Sequence, residues 1–265
     1  MQWFLALNEG CPAFEQYAQM ARVAVHTALQ CTSLRPHFLY DGGESEFTRW
    51  LRDRDVPIIQ CRTSLFGDLA DLSRRQNDPS VITTTAGIFL RTELPRLRDS
   101  LQLEDRVLYT DSDVFFQRDP VEQISSAACE YFAVGPEFEP TDYENMNTGV
   151  MWMNLPALLG RDEEFKTFIR QHLGELQKNA WDQGAYRCFF RTSDGVPLWD
   201  KLPPELNWKP YWGDPSTAAI VHFHGPKPFQ RPYIDSHYAM LKHLTGGYYE
   251  AVCDRWQELL NEAQK

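Results

Sequence analysis

Basic residues are in short supply: 26 Lys and Arg face 37 Asp and Glu, giving a formal net charge of −11. Nucleic acids are held by clustered cations, so this deficit argues against DNA or RNA as a partner and leaves only a local anion site open. Cysteine is sparse and irregular. Cys11, Cys31, Cys61, Cys129, Cys188 and Cys253 show no CxxC spacing, which points to neither a zinc knuckle nor a disulfide framework and predicts reduced, mostly buried thiols. Long apolar runs are missing too. The stretch Trp3 to Leu7 lacks a basic leader and is too short for a secretion signal or a membrane span, so no transmembrane segment and a cytoplasmic location are expected. No repeat, low-complexity tract or composition break marks a linker.

What remains is an ordinary globular composition, with 43% hydrophobic and 24% charged residues, which argues against extended disorder. A chain of 265 residues can fill one sizeable core, and a single folding unit over 1–265 is expected. Trp3 to Leu7 reads as a strand. Pro12 opens a helix with Phe14, Tyr17, Ala18, Ala21 and Val25 at helical spacing. His37 to Tyr40 (strand), Glu44 to Arg54 (short helix) and Val56 to Cys61 (strand) complete a βαβαβ opening. Thr83 to Leu97 has a helical pattern interrupted near Pro95, and Arg106 to Thr110 is a short strand of the fully buried kind. Further strands are predicted at Tyr131 to Val134, Gly149 to Met153 and Ala219 to Phe223, with helices at Asp162 to Leu176 and Trp181 to Phe190. Asp194 to Pro215 reads as an ordered loop. The alternation favours an α/β fold with a largely parallel sheet covered on both faces.

Two motifs carry chemistry. Asp111-Ser112-Asp113 directly follows the buried strand, and on an extended backbone the two carboxylates share one side. Together at a strand end they repel unless a cation lies between them, and such oxygen ligands suit Mn²⁺ or Mg²⁺. A solvated turn is the plainer reading of Asp-Ser-Asp. The second motif, His222-Phe223-His224-Gly225-Pro226-Lys227-Pro228-Phe229, combines an imidazole able to ligate Mn²⁺, a glycine permitting close backbone approach and a lysine able to neutralise a diphosphate. Taken singly, His222 reads as a satisfied core histidine and Lys227 as a surface lysine.

With these motifs and three others between them, the chain resembles the family 8 glycosyltransferases. Asn147-Thr148-Gly149-Val150-Met151 is similar to that family's Asn-Ala-Gly-Val-Met segment, Trp181-Asp182-Gln183 to its Asp-Gln step, and Phe89-Leu90-Arg91 to its Tyr-x-Arg element. The likeness runs from about Trp3 to Phe229. It implies a GT-A-like, Rossmann-related, mostly parallel mixed sheet flanked by helices, with a nucleotide-binding half at about 1–115 and a sugar and acceptor half at about 116–265. It also implies retaining, Mn²⁺-dependent hexosyl transfer from a UDP-sugar to a hydroxyl acceptor such as a glycan, lipid-linked sugar, small molecule or protein. By that resemblance Asp111, Asp113 and His222 bind Mn²⁺ (or Mg²⁺), and Gly225 and Lys227 meet the diphosphate. Ala6, Leu7 and Asn8 hold the nucleoside, and Ser112 lies with the donor. Arg91 and Asn147 line the sugar with Asp182 and Gln183; Asn147, Asp182 and Gln183 are the catalytic candidates.

The chain departs from the family in having one residue fewer between Gly225 and Lys227 and in ending the motif with Phe229 in place of Trp. The usual Leu-Pro-x-x-Trp-Asn step appears as Leu202-Pro203-Pro204-Glu205-Leu206-Asn207-Trp208, with the last pair reversed. Read singly, Asn147 and Gly149 form a turn, Arg91 an exposed helix pair and Asp182 a helix cap. The competing functions are a phosphatase of the haloacid-dehalogenase type, a nucleotidyltransferase and a non-catalytic carbohydrate-binding protein. The first lacks its later acidic partner, since Gly213-Asp214 runs into Pro215-Ser216-Thr217. The second lacks a Gly-rich loop between Asn8 and Pro12.

Overall fold

The computed structural model describes residues 1–233 and 247–265. The chain opens with β1 (Gln2–Asn8), α1 (Phe14–Cys31), β2 (Arg35–Asp41), α2 (Glu46–Arg52) and β3 (Ile58–Gln60), the βαβαβ unit predicted. β1 is buried throughout, and its period-two alternation divides the core between the two faces of the sheet. Phe4 and Ala6 pack with Val107, Tyr109, Met151 and Met153, whereas Trp3, Leu5 and Leu7 pack with Tyr40, Leu108, Val150 and Trp152. Helices α1 and α2 cover the second cluster. α3 (Phe66–Gln76), α4 (Ser80–Ile88), α5 (Leu94–Leu101), α8 (Asp162–Leu176) and α9 (Trp181–Phe189) cover the first. Short helices α6 (Val121–Ser126) and α7 (Leu155–Leu159) complete the set between α5 and α8. Among the described residues no helix is long and apolar enough to cross a membrane.

The remaining strands of the main sheet are β4 (Arg106–Thr110), β6 (Phe132–Pro136), β7 (Met146–Asn154) and β8 (Asp200–Lys201). The seven strands lie in the order β3-β2-β1-β4-β7-β6-β8. β7 runs against both β4 and β6, and the other pairings are parallel. The mostly parallel mixed sheet is therefore present, with one reversed strand. Because β7 is antiparallel to β4, its N-terminal residues lie beside the C-terminal end of β4, where α/β folds place ligands.

β5 (Val114–Phe116) and β9 (Ile220–His222) form a separate two-stranded ribbon. The strand expected at Ala219 to Phe223 thus exists, but outside the main sheet. α10 (Tyr248–Ala263) covers this ribbon: Tyr249, Val252, Trp256 and Leu259 pack with Phe115, Val221, Phe223 and with Met20 and Val23 of α1. The amphipathic C-terminal stretch thereby covers its own chain, each large side chain contributing about 1.5–3 kcal/mol of burial.

Local detail departs from expectation in three places. The helical pattern from Thr83 breaks at a 3₁₀ turn, Phe89–Glu93, ahead of Pro95, which sits in the first turn of α5 where its missing N–H has no partner to lose. The loop after Asp194 carries β8 and 3₁₀ turns at Pro204–Leu206, Pro210–Trp212 and Pro215–Thr217. All six thiols are free, but only Cys129 and Cys253 are buried and Cys31 and Cys188 are exposed, which corrects the expectation of mostly buried cysteines.

Candidate active site

Backbone pairing brings the two motifs together. Asp111 follows β4 directly, and its N–H donates to Gly149 O at 2.9 Å, tying the Asp-Ser-Asp segment to the start of β7. On its other side the segment enters β5, which pairs with β9 in the register Val114 opposite His222. The Phe223 N–H closes the ribbon on Asp113 O at 2.9 Å. As a result, one ligand atom from each of Asp111, Asp113 and His222 lies within 4.8 Å of the others. His222 Nε2 is 3.3 Å from Asp113 Oδ1 and 4.0 Å from Asp111 Oδ2. Asp113 is 5% and Ser112 6% exposed, so this is not a solvated turn.

The donor set fits a divalent cation. Asp113 Oδ1 is buried and has no hydrogen-bond partner. His222 Nδ1 lies 2.9 Å from Asn207 Oδ1, an acceptor, so Nδ1 carries the proton and Nε2 presents a lone pair to Asp113. Two facing acceptors in a dry pocket call for a positive charge between them. Two carboxylates and an imidazole suit Mn²⁺ and related divalent ions. Gly149 makes room for the imidazole, since a Cβ there would stand 2.1 Å from His222 Cε1. Lys227 pairs with Asp113 Oδ2 and donates to Phe223 O at 2.6 Å; it is not a free surface lysine. Burial pushes the Asp113 carboxyl up, but the charge of Lys227 beside it outweighs this and holds the group far below the usual carboxylate range.

Arg91 is the second organiser. The 3₁₀ turn buries it to 3% exposure, which rules out an exposed helix pair. Its guanidinium lies 2.6 Å from Asp111 Oδ1 through Nη2 and 2.8 Å from Asp182 Oδ2 through Nε, donates to Thr148 O, and lies over the Tyr109 ring. A planar fork with several donors is what this double contact needs. Asp182 caps nothing: the residue before α9 is Ala180, in the left-handed region at φ 52°, and no side chain caps that helix. Burial pushes the Asp182 carboxyl up to about 6, against the lowering charge of Arg91.

Asn147 and Gln183 meet in a hydrogen-bonded patch beside the imidazole. Gln183 Oε1 accepts from Asn147 Nδ2 and from the Thr148 N–H, both at 3.0 Å, while Gln183 Nε2 donates to Glu137 Oε1 at 2.8 Å. Glu137 also pairs with Arg187 at 2.7 Å and sits 3.4 Å from His224 Nε2. Burial raises Glu137, but hydrogen bonds from His224 and Gln183, with the charge of Arg187, bring it down to about 2. Burial pushes His224 down to about 4; the ring is neutral, with Tyr211 Oη 2.6 Å from Nδ1. Glu137, Arg187, Asn207 and His224 were absent from the sequence-based set. His224 stands within the second motif and Asn207 in the reversed Asn207-Trp208 pair, but neither carried an assigned role.

These groups surround a cavity of about 360 Å³. Ala6, Leu7 and Asn8, at the C-terminal end of β1, line it together with Arg91, Asp111, Ser112, Asp113, Asn147, Asp182, Gln183, His222 and Lys227. Gly225 is not among the lining residues; it takes φ 86° between His224 and Lys227, a conformation that favours glycine. Asn8 is fixed by a donated bond to Thr83 O at 3.2 Å and by the Gly10 N–H at 2.8 Å.

No known protein-family profile matches the chain, and no curated protein sequence matches it. Solved structures do. The galactosyltransferase LgtC, in complex with donor and acceptor sugar analogs, is 20% identical, with 93% of this chain and 96% of that one covered at a TM-score of 0.59. The glycosyltransferase GlyE of Streptococcus pneumoniae TIGR4 is 16% identical at a TM-score of 0.57, over 98% of this chain and 63% of GlyE. Mouse xyloside xylosyltransferase 1 is 13% identical at a TM-score of 0.56, over 85% of this chain and 98% of that one. With the mixed sheet and helical layers described above, these likenesses show that the chain has the GT-A fold of glycosyltransferases.

Proposed function

We propose that the chain is a retaining, Mn²⁺-dependent glycosyltransferase of the family 8 type, moving a hexosyl group from a UDP-sugar to a hydroxyl acceptor. The observation that carries this reading is the convergence of Asp111, Asp113 and His222 at one wall of a cavity that also holds Arg91, Asp182 and Lys227. A ligand-sized cleft with a few convergent charged groups is a donor site in form. LgtC, bound to donor and acceptor sugar analogs, supports the same reading by its fold.

Asp111, Asp113 and His222 would hold the cation, which supplies Lewis-acid stabilisation of the leaving diphosphate. Lys227 adds a mobile positive charge, exchanging its contact with Asp113 for the diphosphate oxygens as negative charge grows on them. The end of β1, with Asn8 locked by its own hydrogen bonds, presents Ala6 and Leu7 to the nucleoside. Arg91 holds Asp182 toward the sugar, and Asn147 and Gln183 form the adjoining polar wall. Every carboxylate lining the cavity is paired: Asp111 and Asp182 with Arg91, Asp113 with Lys227, and Glu137 with Arg187. None stands free to act as a nucleophile, which favours front-face attack by the acceptor hydroxyl with its proton passing to the leaving phosphate.

The test is a panel of UDP-sugars with Mn²⁺, followed by thermal shift and by UDP release, for the wild type and for Asp113→Asn. Wild-type release is expected to need the metal and to vanish in the variant. Equal release in chelator and in Mn²⁺ would overturn the proposal.

A further inference from the structure

We infer that Asn207 is a positioning residue for the cation site, oriented by a chain of side-chain amides that begins at the Glu137–Arg187 pair and ends on the His222 imidazole. The inference rests on the reading of Asp111, Asp113 and His222 as ligands of one ion. An asparagine can turn either its oxygen or its NH₂ toward a neighbour, and the choice at Asn207 decides which nitrogen of His222 is protonated. Oxygen facing Nδ1 requires the proton there and leaves Nε2 bare for a metal. The reverse orientation places NH₂ at Nδ1, drives the proton to Nε2 and blocks the site.

Asn207 is not free to choose. Its Nδ2 donates to Asn147 Oδ1 at 3.0 Å. That oxygen is marked as an acceptor by the Gly149 N–H at 3.1 Å, and Asn147 Nδ2 in turn donates to Gln183 Oε1. The Thr148 N–H marks Gln183 Oε1 in the same way, and Gln183 Nε2 ends on Glu137. Glu137, ionised and clamped by Arg187, can only accept. Reversing any one amide would set acceptor against acceptor, or donor against donor, in a region where Asn207, Asn147 and Gln183 are all buried. Two glycines clear the space for the relay's terminal groups: a Cβ on Gly135 would lie 2.9 Å from Asn207 Cβ, and one on Gly149 would meet the imidazole.

Partners of this kind fix the ring of a metal-bound histidine, and their loss costs about 10–100-fold in metal affinity. Mn²⁺ binding, read from the free-ion EPR signal in the presence of UDP, is therefore expected to weaken by about that factor in Asn207→Leu and by less in Asn207→Asp, which keeps an acceptor facing Nδ1 but loses the donor to Asn147. Circular dichroism verifies that each variant is folded. Long-range ¹H–¹⁵N NMR of the metal-free protein reads the proton directly: Nδ1–H at His222 in the wild type, with Nε2–H appearing in Asn207→Leu. A folded Asn207→Leu that binds Mn²⁺ as tightly as the wild type overturns the inference, as does Nε2–H in the wild type. A wild type with Nδ1–H but no affinity for Mn²⁺ removes the ion from these three ligands. That outcome defeats the function proposed above and the relay's purpose with it.

Discussion

Gly149→Ala separates sterics from every other effect at this site. Gly149 lies inside β7, where alanine is conformationally at ease, and such a change elsewhere would be neutral or stabilise by about 0.4–1 kcal/mol through the unfolded chain. Here the new methyl would stand 2.1 Å from His222 Cε1, 2.6 Å from Nδ1 and 2.8 Å from Nε2. Ordinary contact begins near 3.4 Å, so the ring must retreat by about 1.3 Å, more than the 2.9 Å bond to Asn207 can absorb. Overpacking of this kind costs about 1–3 kcal/mol, which at about 2–4 °C per kcal/mol lowers Tm by roughly 2–12 °C. Mn²⁺ affinity should fall more than about tenfold, because Nε2 leaves its place beside Asp113. Differential scanning fluorimetry and Mn²⁺ titration check both effects. A variant as stable as the wild type, with unchanged Mn²⁺ affinity, would refute the placement of the ring against β7.

Arg91→Lys replaces a fork with a single point that cannot satisfy Asp111 and Asp182 together; the orphaned buried charge should cost about 3–5 kcal/mol in urea unfolding. Glu137 sits at about 2 against an ordinary 4.5. Its lowered value means stability that is fully present above pH 4.5 and lost as pH falls toward 2. Glu137→Gln should therefore be about 3 kcal/mol less stable at pH 7, with the two denaturation midpoints converging as the pH is lowered through that window. Trp256→Ala opens the packing of α10 on the β5–β9 ribbon and should cost about 3–5 kcal/mol with the m-value unchanged. Asp113→Asn, the probe of turnover above, is preferable to alanine because it keeps an oxygen for Lys227.

The residues that converge at the cavity were legible because they stand in short motifs flanked by apolar strands. Val107 to Tyr109 announces β4 and so places Asp111 at a strand end; Asp162 to Leu176 was readable to the residue from its helical period. Strand direction was not legible. β7 is buried along nearly all its length, and a continuous apolar run reads the same forwards and backwards. The strand at β9 was expected, but its ribbon with β5 escaped notice because β5 has three residues, too few to show a period. Glu137, Asn207 and Arg187 could not be found from spacing, since each is an ordinary polar residue whose role arises only from tertiary contact. Asp182 and Arg91 stood in two separate motifs, and their mutual pairing is a fact of geometry alone.

The ribbon between β5 and β9 joins the middle of the chain to a late part, and its register sets the imidazole beside the carboxylates. A cation site built across such a seam, as proposed above, would not exist in a half-made polypeptide. The nascent protein would then gain the site only once the segment carrying His222 has docked, and metal uptake would mark a late stage of folding.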